Sequence, residues 1–569
     1  MKHSNKLKDF IFNPVTLFWA FLAMLVLPNF VMFFTESTGT LTRVVQIILP
    51  LSIYWFAMTL SNKPGKMFWW LFLFMFIDAF QIVLLYLFGE SPIAVDMFLN
   101  VVTTNATEVD ELLSNLLPAV STVFIIYGGG IVISLMSLKN SDKLGKIFID
   151  NQRKLALLLF VPSLILLGVN YFVDKRFAAE DDIFPINGCY NLGLSFERYF
   201  DGVNYKETSG NFKFNATCER PDTLPEVYVM VIGETVRACN MGIYGYERNT
   251  TPHLTSMGNQ LAVFRDAITM SNTTHKSVPL LLTAVGSEKF DSLYTQRGIF
   301  TAFKEAGYKT AFYSNQRRNG SFIDYLGSEA QEVVFAMDNV SVGHNQSDDV
   351  LLDLFEQRLK KYKGEKLFVV LHCYGSHFTY TDRYPAKASY FKPDYIESAK
   401  KEYRPNMINA YDNSIRYTDQ FLWKIASTLE SLGVASAMLY TSDHGEDIFD
   451  DSRNRFLHAS PIPTYYQLRV PFVLWSSTAY IEQHPDKWNT VMGHKDVAVS
   501  TSMLAFHTLL DMAGVKANVM KPSLALSNTS FKVVPRQYVN DHNEYLPIDD
   551  AGLKQLDIDQ FKKNNMVYP

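Results

Sequence analysis

A basic excess is missing from this chain. Its formal net charge is -5 and its pI is near 6.2, which gives no support for nucleic-acid binding. Internal repeats and low-complexity tracts are missing as well. Two local absences say more. Residues 89–116 hold no Lys or Arg, yet carry Glu90, Asp96, Glu108, Asp110 and Glu111. After about residue 174, no stretch is long and apolar enough to cross a bilayer.

What is present before that point is the opposite. Five segments, near 15–34, 43–60, 67–88, 117–138 and 155–173, are long and apolar, and a span needs roughly 20 such residues. Buried core helices are the alternative, but the near absence of charge inside all five favours membrane spans. No small-residue cleavage site follows the first, so a cleaved signal peptide is not expected. Basic residues sit at Lys2, Lys6 and Lys8, at Lys63 and Lys66, and at Lys139, Lys143, Lys146, Arg153 and Lys154. The positive-inside rule puts these loops and the N-terminus in the cytoplasm and the acidic loop outside. An odd number of spans then places the remainder of the chain outside.

At 569 residues, two or more domains are expected: a transmembrane domain over 1–174 with outer loop 89–116, a connector over 175–224 lying partly on the membrane surface, and an external domain over 225–569. In the connector, Cys189 and Cys218 are candidates for a disulfide, with free thiols the alternative. Cys239 and Cys373 are expected as free core thiols.

The external domain reads as α/β. Short apolar runs at 226–233, 308–314, 366–376, 435–443 and 470–477 alternate with helical stretches at 299–306, 348–361, 406–431 and 498–513. Such runs form a mostly parallel sheet covered on both faces, and ligands bind beyond the carboxyl ends of its strands. Those ends deliver Gly233-Glu234-Thr235, His372 and His377 in "LHCYGSHF", and Asp443-His444 in "TSDHGED", with His458 in "RFLHASP" downstream. Carboxylates and imidazoles converging on one sheet edge suit a divalent metal, zinc included. The adjacent Asp443-His444 pair is weak evidence alone, since either residue could simply cap the following helix.

A hydroxyl at a helix N-terminus beside a metal is suited to carry a phosphoryl group. Thr273 and Thr274 in "SNTTHKSVP" fit that description, and Thr235 competes with them. Spacing alone does not choose.

The five spans, GETVRA, the threonine-rich segment ending in SVP, GSH, SDHGE and FLH, in that order, resemble the phosphoethanolamine transferases. These include the lipid A enzymes of the colistin-resistance type, and the resemblance covers almost the whole chain. It implies an alkaline phosphatase/sulfatase fold and a zinc-dependent enzyme of the bacterial inner membrane, multi-pass, monomeric, with a periplasmic catalytic domain. The enzyme would move phosphoethanolamine from phosphatidylethanolamine to lipid A or core lipopolysaccharide through a phosphothreonine. The modified surface would be less negative, favouring polymyxin resistance.

By motif, Thr274 becomes the nucleophile and a metal ligand with Glu234, Asp443 and His444. His377 and His458 become second-metal or substrate ligands, and Asn315 a head-group contact. Thr235 is left to cap the helix that follows. Asn100, Thr104 and Glu108, four apart on one helical face, match the residues that hold the donor head group. The chain departs from the lipid A enzymes in having no cysteine near Thr274, and "MGIYGYERNTTPHL" looks more like the branch acting on core sugars and glucans. Phosphoglycerol transfer, simple hydrolysis, or an inactive lipopolysaccharide sensor are the rival readings.

Overall fold

The computed structural model describes residues 11–36, 38–89, 91–103, 117–139, 142–175, 177–221, 224–286, 289–341 and 344–568. The chain forms two compact units, with the main boundary between Phe196 and Glu197.

The first unit is helical: α1 (Pro14–Thr35), α2 (Thr40–Met58), α3 (Pro64–Trp70), α4 (Phe72–Phe88), the start of α5 (Val95–Thr103), whose residues from Leu99 on belong to the second unit, α6 (Leu117–Leu138) and α7 (Lys146–Val173). Asn13 starts α1 by accepting the Val15 N–H at 2.9 Å, and Pro14 occupies the first turn, where a missing N–H costs nothing. Four of these helices, α1, α2, α6 and α7, are long and apolar enough to span a membrane. The stretch expected as a single span over 67–88 is instead the pair α3 and α4, bent by 69°. Leu71, with ψ 18°, interrupts the helix there. Among the described residues, four single helices therefore have the length and composition of a span, or five if the bent pair counts as one. Close approach of α3 to α6 depends on Gly65, whose carbonyl accepts the Ser134 hydroxyl at 2.6 Å. A Cβ there would meet the Ser134 carbonyl at 2.8 Å. Phe21 and Phe68 stack at 4.2 Å inside the bundle, while α6 and α7 turn Phe124, Ile125 and Leu158 outward, as lipid-facing surfaces do.

The connector contains a long helix, α8 (Ile186–Thr208), which exposes Tyr190, Phe196, Tyr199 and Phe200. All four cysteines are free, so Cys189 and Cys218 form no disulfide. The Cys218 sulfur instead receives the Lys366 ammonium at 3.1 Å.

The second unit is built on a seven-stranded sheet. Its strands are β1 (Glu226–Gly233), β2 (Leu261–Val263), β3 (Lys309–Ser314), β4 (Glu332–Phe335), β5 (Lys366–His372), β6 (Ala435–Ser442) and β7 (Phe472–Ser476). They lie in the order β2-β7-β6-β1-β5-β3-β4. From β6 to β4 every pairing is parallel. β7 departs from that expectation, pairing antiparallel with β6 and with β2. The chain between β6 and β7 makes no helical crossover; residues 443–471 build site loops and return from the same sheet end.

Both faces of β1 are buried, which is why its sequence runs apolar without alternation. Val227, Val229 and Val231 pack with α11 (Asp349–Lys360) and α12 (Arg404–Ser431). Tyr228, Met230 and Ile232 pack with α9 (Thr274–Leu281), α10 (Ile299–Glu305) and α13 (Thr501–Met512). Three adjacent central strands thus end at one edge, carrying the polar motifs.

Candidate active site

Register aligns the three strand ends. Gly233 pairs with Ser442 and Ile232 with His372, so Glu234 and Asp443 leave neighbouring strands at the same level. The Asp443 Oδ1 atom accepts the backbone N–H groups of Thr235, at 3.1 Å, and of His444, at 2.7 Å. Thr235 has φ 56° and its carbonyl accepts the Tyr411 hydroxyl at 2.6 Å. It caps no helix: the chain turns away here, and the next helical turn begins only at Ala238.

Thr274 is the first residue of α9, with Thr273 at the N-cap position. Its hydroxyl lies 3.3 Å and 3.5 Å from the two Glu234 oxygens and 3.1 Å from His444 Nε2. The tautomer of His444 follows from its other nitrogen. Nδ1 lies 2.9 Å from the Gly445 carbonyl, which can only accept, so Nδ1 carries the proton and Nε2 presents a lone pair. That lone pair faces Thr274, Asp443 Oδ2 at 3.2 Å and Glu234 Oε1 at 3.6 Å.

Burial dominates the electrostatics. It pushes the Glu234 carboxyl well above the usual range, with Asp443 adding to the rise, and it raises Asp443 too. It pushes His444 well below the ordinary imidazole value. Asp443 Oδ2 is buried with no hydrogen-bond donor among the described residues. Two carboxylates penalised for their charge, an orphaned oxygen and an imidazole lone pair form a donor set that fits a divalent cation. Glu234, His444 and His458 bring ligand atoms to within 4.8 Å of one another. The His458 ring lies 4.2 Å from His444 and 5.8 Å from His377, centroid to centroid. His377 donates Nδ1–H to the Phe378 carbonyl at 2.7 Å. Burial and the neighbouring Arg383 hold its pKa well below the usual value, so it is neutral at pH 7 with Nε2 free to accept.

Two residues stand differently from the sequence reading. Asn315 is fully buried and is not brought to the site. It donates to Asp348 Oδ1 at 2.9 Å and to the Gln346 carbonyl at 3.1 Å. Its neighbour Gln316, overlooked in the sequence, donates to Glu234 Oε2 at 3.1 Å and to the Cys373 carbonyl at 3.3 Å. Alternation at a strand end was the signal that could have found it. His372 lines the same cavity, with Nδ1 3.1 Å from the Ser314 hydroxyl and a buried Nε2 that has no partner among the described residues. Asn100 falls in α5, while Thr104 and Glu108 lie outside the described residues.

Glu234, Thr274, Gln316, His372, His377 and His458 line a cavity of about 130 Å³, to which Arg317, Asp324 and Phe335 also contribute.

Residues 226–515 match the model of the sulfatase family. The chain is 32% identical over 305 residues to the Kdo(2)-lipid A phosphoethanolamine 7''-transferase of Escherichia coli strain K12, covering 52% of this chain and 53% of that protein. It therefore spans about half the length of this curated relative. Among solved structures, lipooligosaccharide phosphoethanolamine transferase A (EptA) from Neisseria meningitidis aligns over 90% of this chain and 98% of its own, with TM-score 0.72 and 21% identity, a likeness of fold. The C-terminal periplasmic domain of EcEptC from Escherichia coli, in complex with Zn, aligns over 61% of this chain and 98% of its own, with TM-score 0.54 and 26% identity.

Proposed function

The chain belongs to the sulfatase family, and from that footing we propose that it is a membrane-anchored, zinc-dependent phosphoethanolamine transferase. It takes the head group of phosphatidylethanolamine onto Thr274 and passes it to lipid A or core lipopolysaccharide. The observation that carries this reading is the Thr274 hydroxyl, held at a helix N-terminus between the Glu234 carboxylate and the His444 lone pair. The Kdo(2)-lipid A relative, itself a phosphoethanolamine transferase, supports the choice of head group.

In the first step Thr274 Oγ1 attacks the lipid phosphorus, and the bond to the diacylglycerol oxygen breaks. Diacylglycerol leaves as the alcohol, and the phosphoethanolamine ester stays on Thr274. The proton that the Thr274 hydroxyl, 3.3 Å from Glu234 Oε1, gives up is matched by the one the diacylglycerol oxygen takes up. The dipole of α9, whose first residue is Thr274, favours the phosphoryl oxygens on that residue. A zinc ion held by Glu234, Asp443, His444 and Thr274 would lower the hydroxyl pKa and stabilise developing negative charge.

In the second step an acceptor phosphate or sugar hydroxyl attacks the same phosphorus and frees Thr274. Neutral His377 is suited to take a proton from an acceptor hydroxyl, and His458 stands beside it. On an acceptor phosphate the added ammonium offsets negative charge already there and weakens the surface's attraction for cationic peptides such as polymyxins; on a sugar hydroxyl the added phosphodiester and ammonium cancel. The protein works as a monomer in the bacterial inner membrane, with the catalytic unit in the periplasm.

Mass spectrometry of lipid A and core oligosaccharide, from cells with and without the protein, tests the reading. A phosphoethanolamine increment on one fraction is expected, and its absence from both overturns the reading.

A further inference from the structure

The cavity that Thr274 faces contains a second carboxylate whose chemistry the steps above leave unused. Asp324 sits in the first turn of the helix Phe322–Gly327, which packs against α9. Asp324 is only 7% exposed and lines the cavity together with Thr274, Arg317, Ile323 and Phe335. Its Oδ2 atom accepts the N–H groups of Asn319 and Gly320 at 2.9 and 2.7 Å. Oδ1 accepts no hydrogen bond among the described residues. Despite two donors, burial pushes this carboxyl above the ordinary aspartate value, so a cation beside it would replace lost hydration.

We propose that Asp324 receives the ammonium of the transferred head group and sets the preference for an amine-bearing donor, an assignment that rests on the transferase reading above. A carboxylate in a phosphoryl-transfer cavity repels an anionic substrate unless that substrate carries its own positive charge. In phosphoethanolamine the ammonium follows the phosphate by only two methylenes. A cavity that holds the phosphorus at Thr274 must therefore offer an acceptor for a cation a few bonds further on. Ile323 and Phe335 give apolar walls for the methylenes. Arg317, whose Nε is buried without an acceptor among the described residues, supplies positive charge for the phosphate. A phosphoglycerol head group offers Asp324 hydroxyl donors but no positive charge, and so forgoes the charge-assisted contact.

The test compares full-length wild type with Asp324→Asn, which keeps an oxygen for the Asn319 and Gly320 N–H groups. Two substrates are used: phosphatidylethanolamine, followed by diacylglycerol release, and bis(p-nitrophenyl) phosphate, a phosphodiester with no ammonium. Loss of one charge-assisted contact predicts a fall in kcat/KM of about 10- to 100-fold on the lipid, with hydrolysis of the amine-free ester unchanged or faster. Equal losses on both substrates, or no loss on the lipid, overturn the assignment while leaving the transferase reading in place. No diacylglycerol release by the wild type overturns the transferase reading, and the assignment with it.

Discussion

Gly375 packs against the backbone of Glu234: a Cβ at position 375 would stand 2.6 Å from both the Glu234 nitrogen and its carbonyl oxygen. The glycine has φ 53°, a conformation that strains any residue with a side chain. The next residue, Ser376, donates its N–H to the Glu234 carbonyl at 2.9 Å, so the loop after β5 closes tightly onto the end of β1. Gly375→Ala is expected to displace Glu234 and to cost about 1–3 kcal/mol in stability. Denaturant unfolding and bound metal per chain check this; wild-type values for both would contradict it.

The donor set makes a graded prediction about metal. Asp443→Asn and His444→Ala each remove an atom facing the centre of the cluster and should lower zinc content well below that of the wild type. Gln316→Ala removes only the amide donor to Glu234 Oε2. It should weaken zinc affinity by about tenfold, the scale of an outer contact to a ligand, without abolishing binding. Asn315→Ala should act differently, loosening the loop around Asp348 with a smaller effect on zinc. Competition titrations with a chelator read all four, and equal affinities for Gln316→Ala and wild type would contradict the assigned contact.

His507 gives the fold an acid-side sensitivity away from the site. Burial, reinforced by Lys521, pushes its pKa down to about 4, and its Nδ1 accepts the Lys521 N–H at 3.2 Å. The neutral ring is therefore the form the fold favours, whereas the unfolded chain protonates it near pH 6.5. Its contribution is fully present above about pH 6.5 and is lost as pH falls toward about 4, by up to about 3 kcal/mol. His507→Gln keeps an acceptor for Lys521 and should flatten the stability profile in that window. A variant profile parallel to the wild type would contradict this account.

How far the sequence carried depends on how local each feature is. GETVRA, GSH and SDHGE mark strand ends within a few residues, because an apolar run that meets glycine and carboxylate has few other solutions. The bend at Leu71 was invisible because "WWLFLF" is apolar on both sides of it, and hydropathy does not register direction. Helix α8 was hidden by Gly188, Gly193 and Gly202, which lower helix propensity and blur its periodicity. The antiparallel run of β7 depends on where residues 443–471 travel, not on the strand's own residues. Strands β2 and β4 are three and four residues long, too short for alternation to register. Asn315 and Gln316 differ by one step of the pleat, which sends one side chain toward Asp348 and the other toward Glu234.

The central claim is that Thr274 carries the head group between donor and acceptor. The direct measurement incubates the purified full-length chain with phosphatidylethanolamine in the absence of acceptor, followed by intact-mass analysis and peptide mapping. The account predicts a phosphoethanolamine adduct on Thr274 with matching release of diacylglycerol, and neither in Thr274→Ala. Diacylglycerol release undiminished in Thr274→Ala, or an adduct mapped to Thr273 or Thr235, would contradict it.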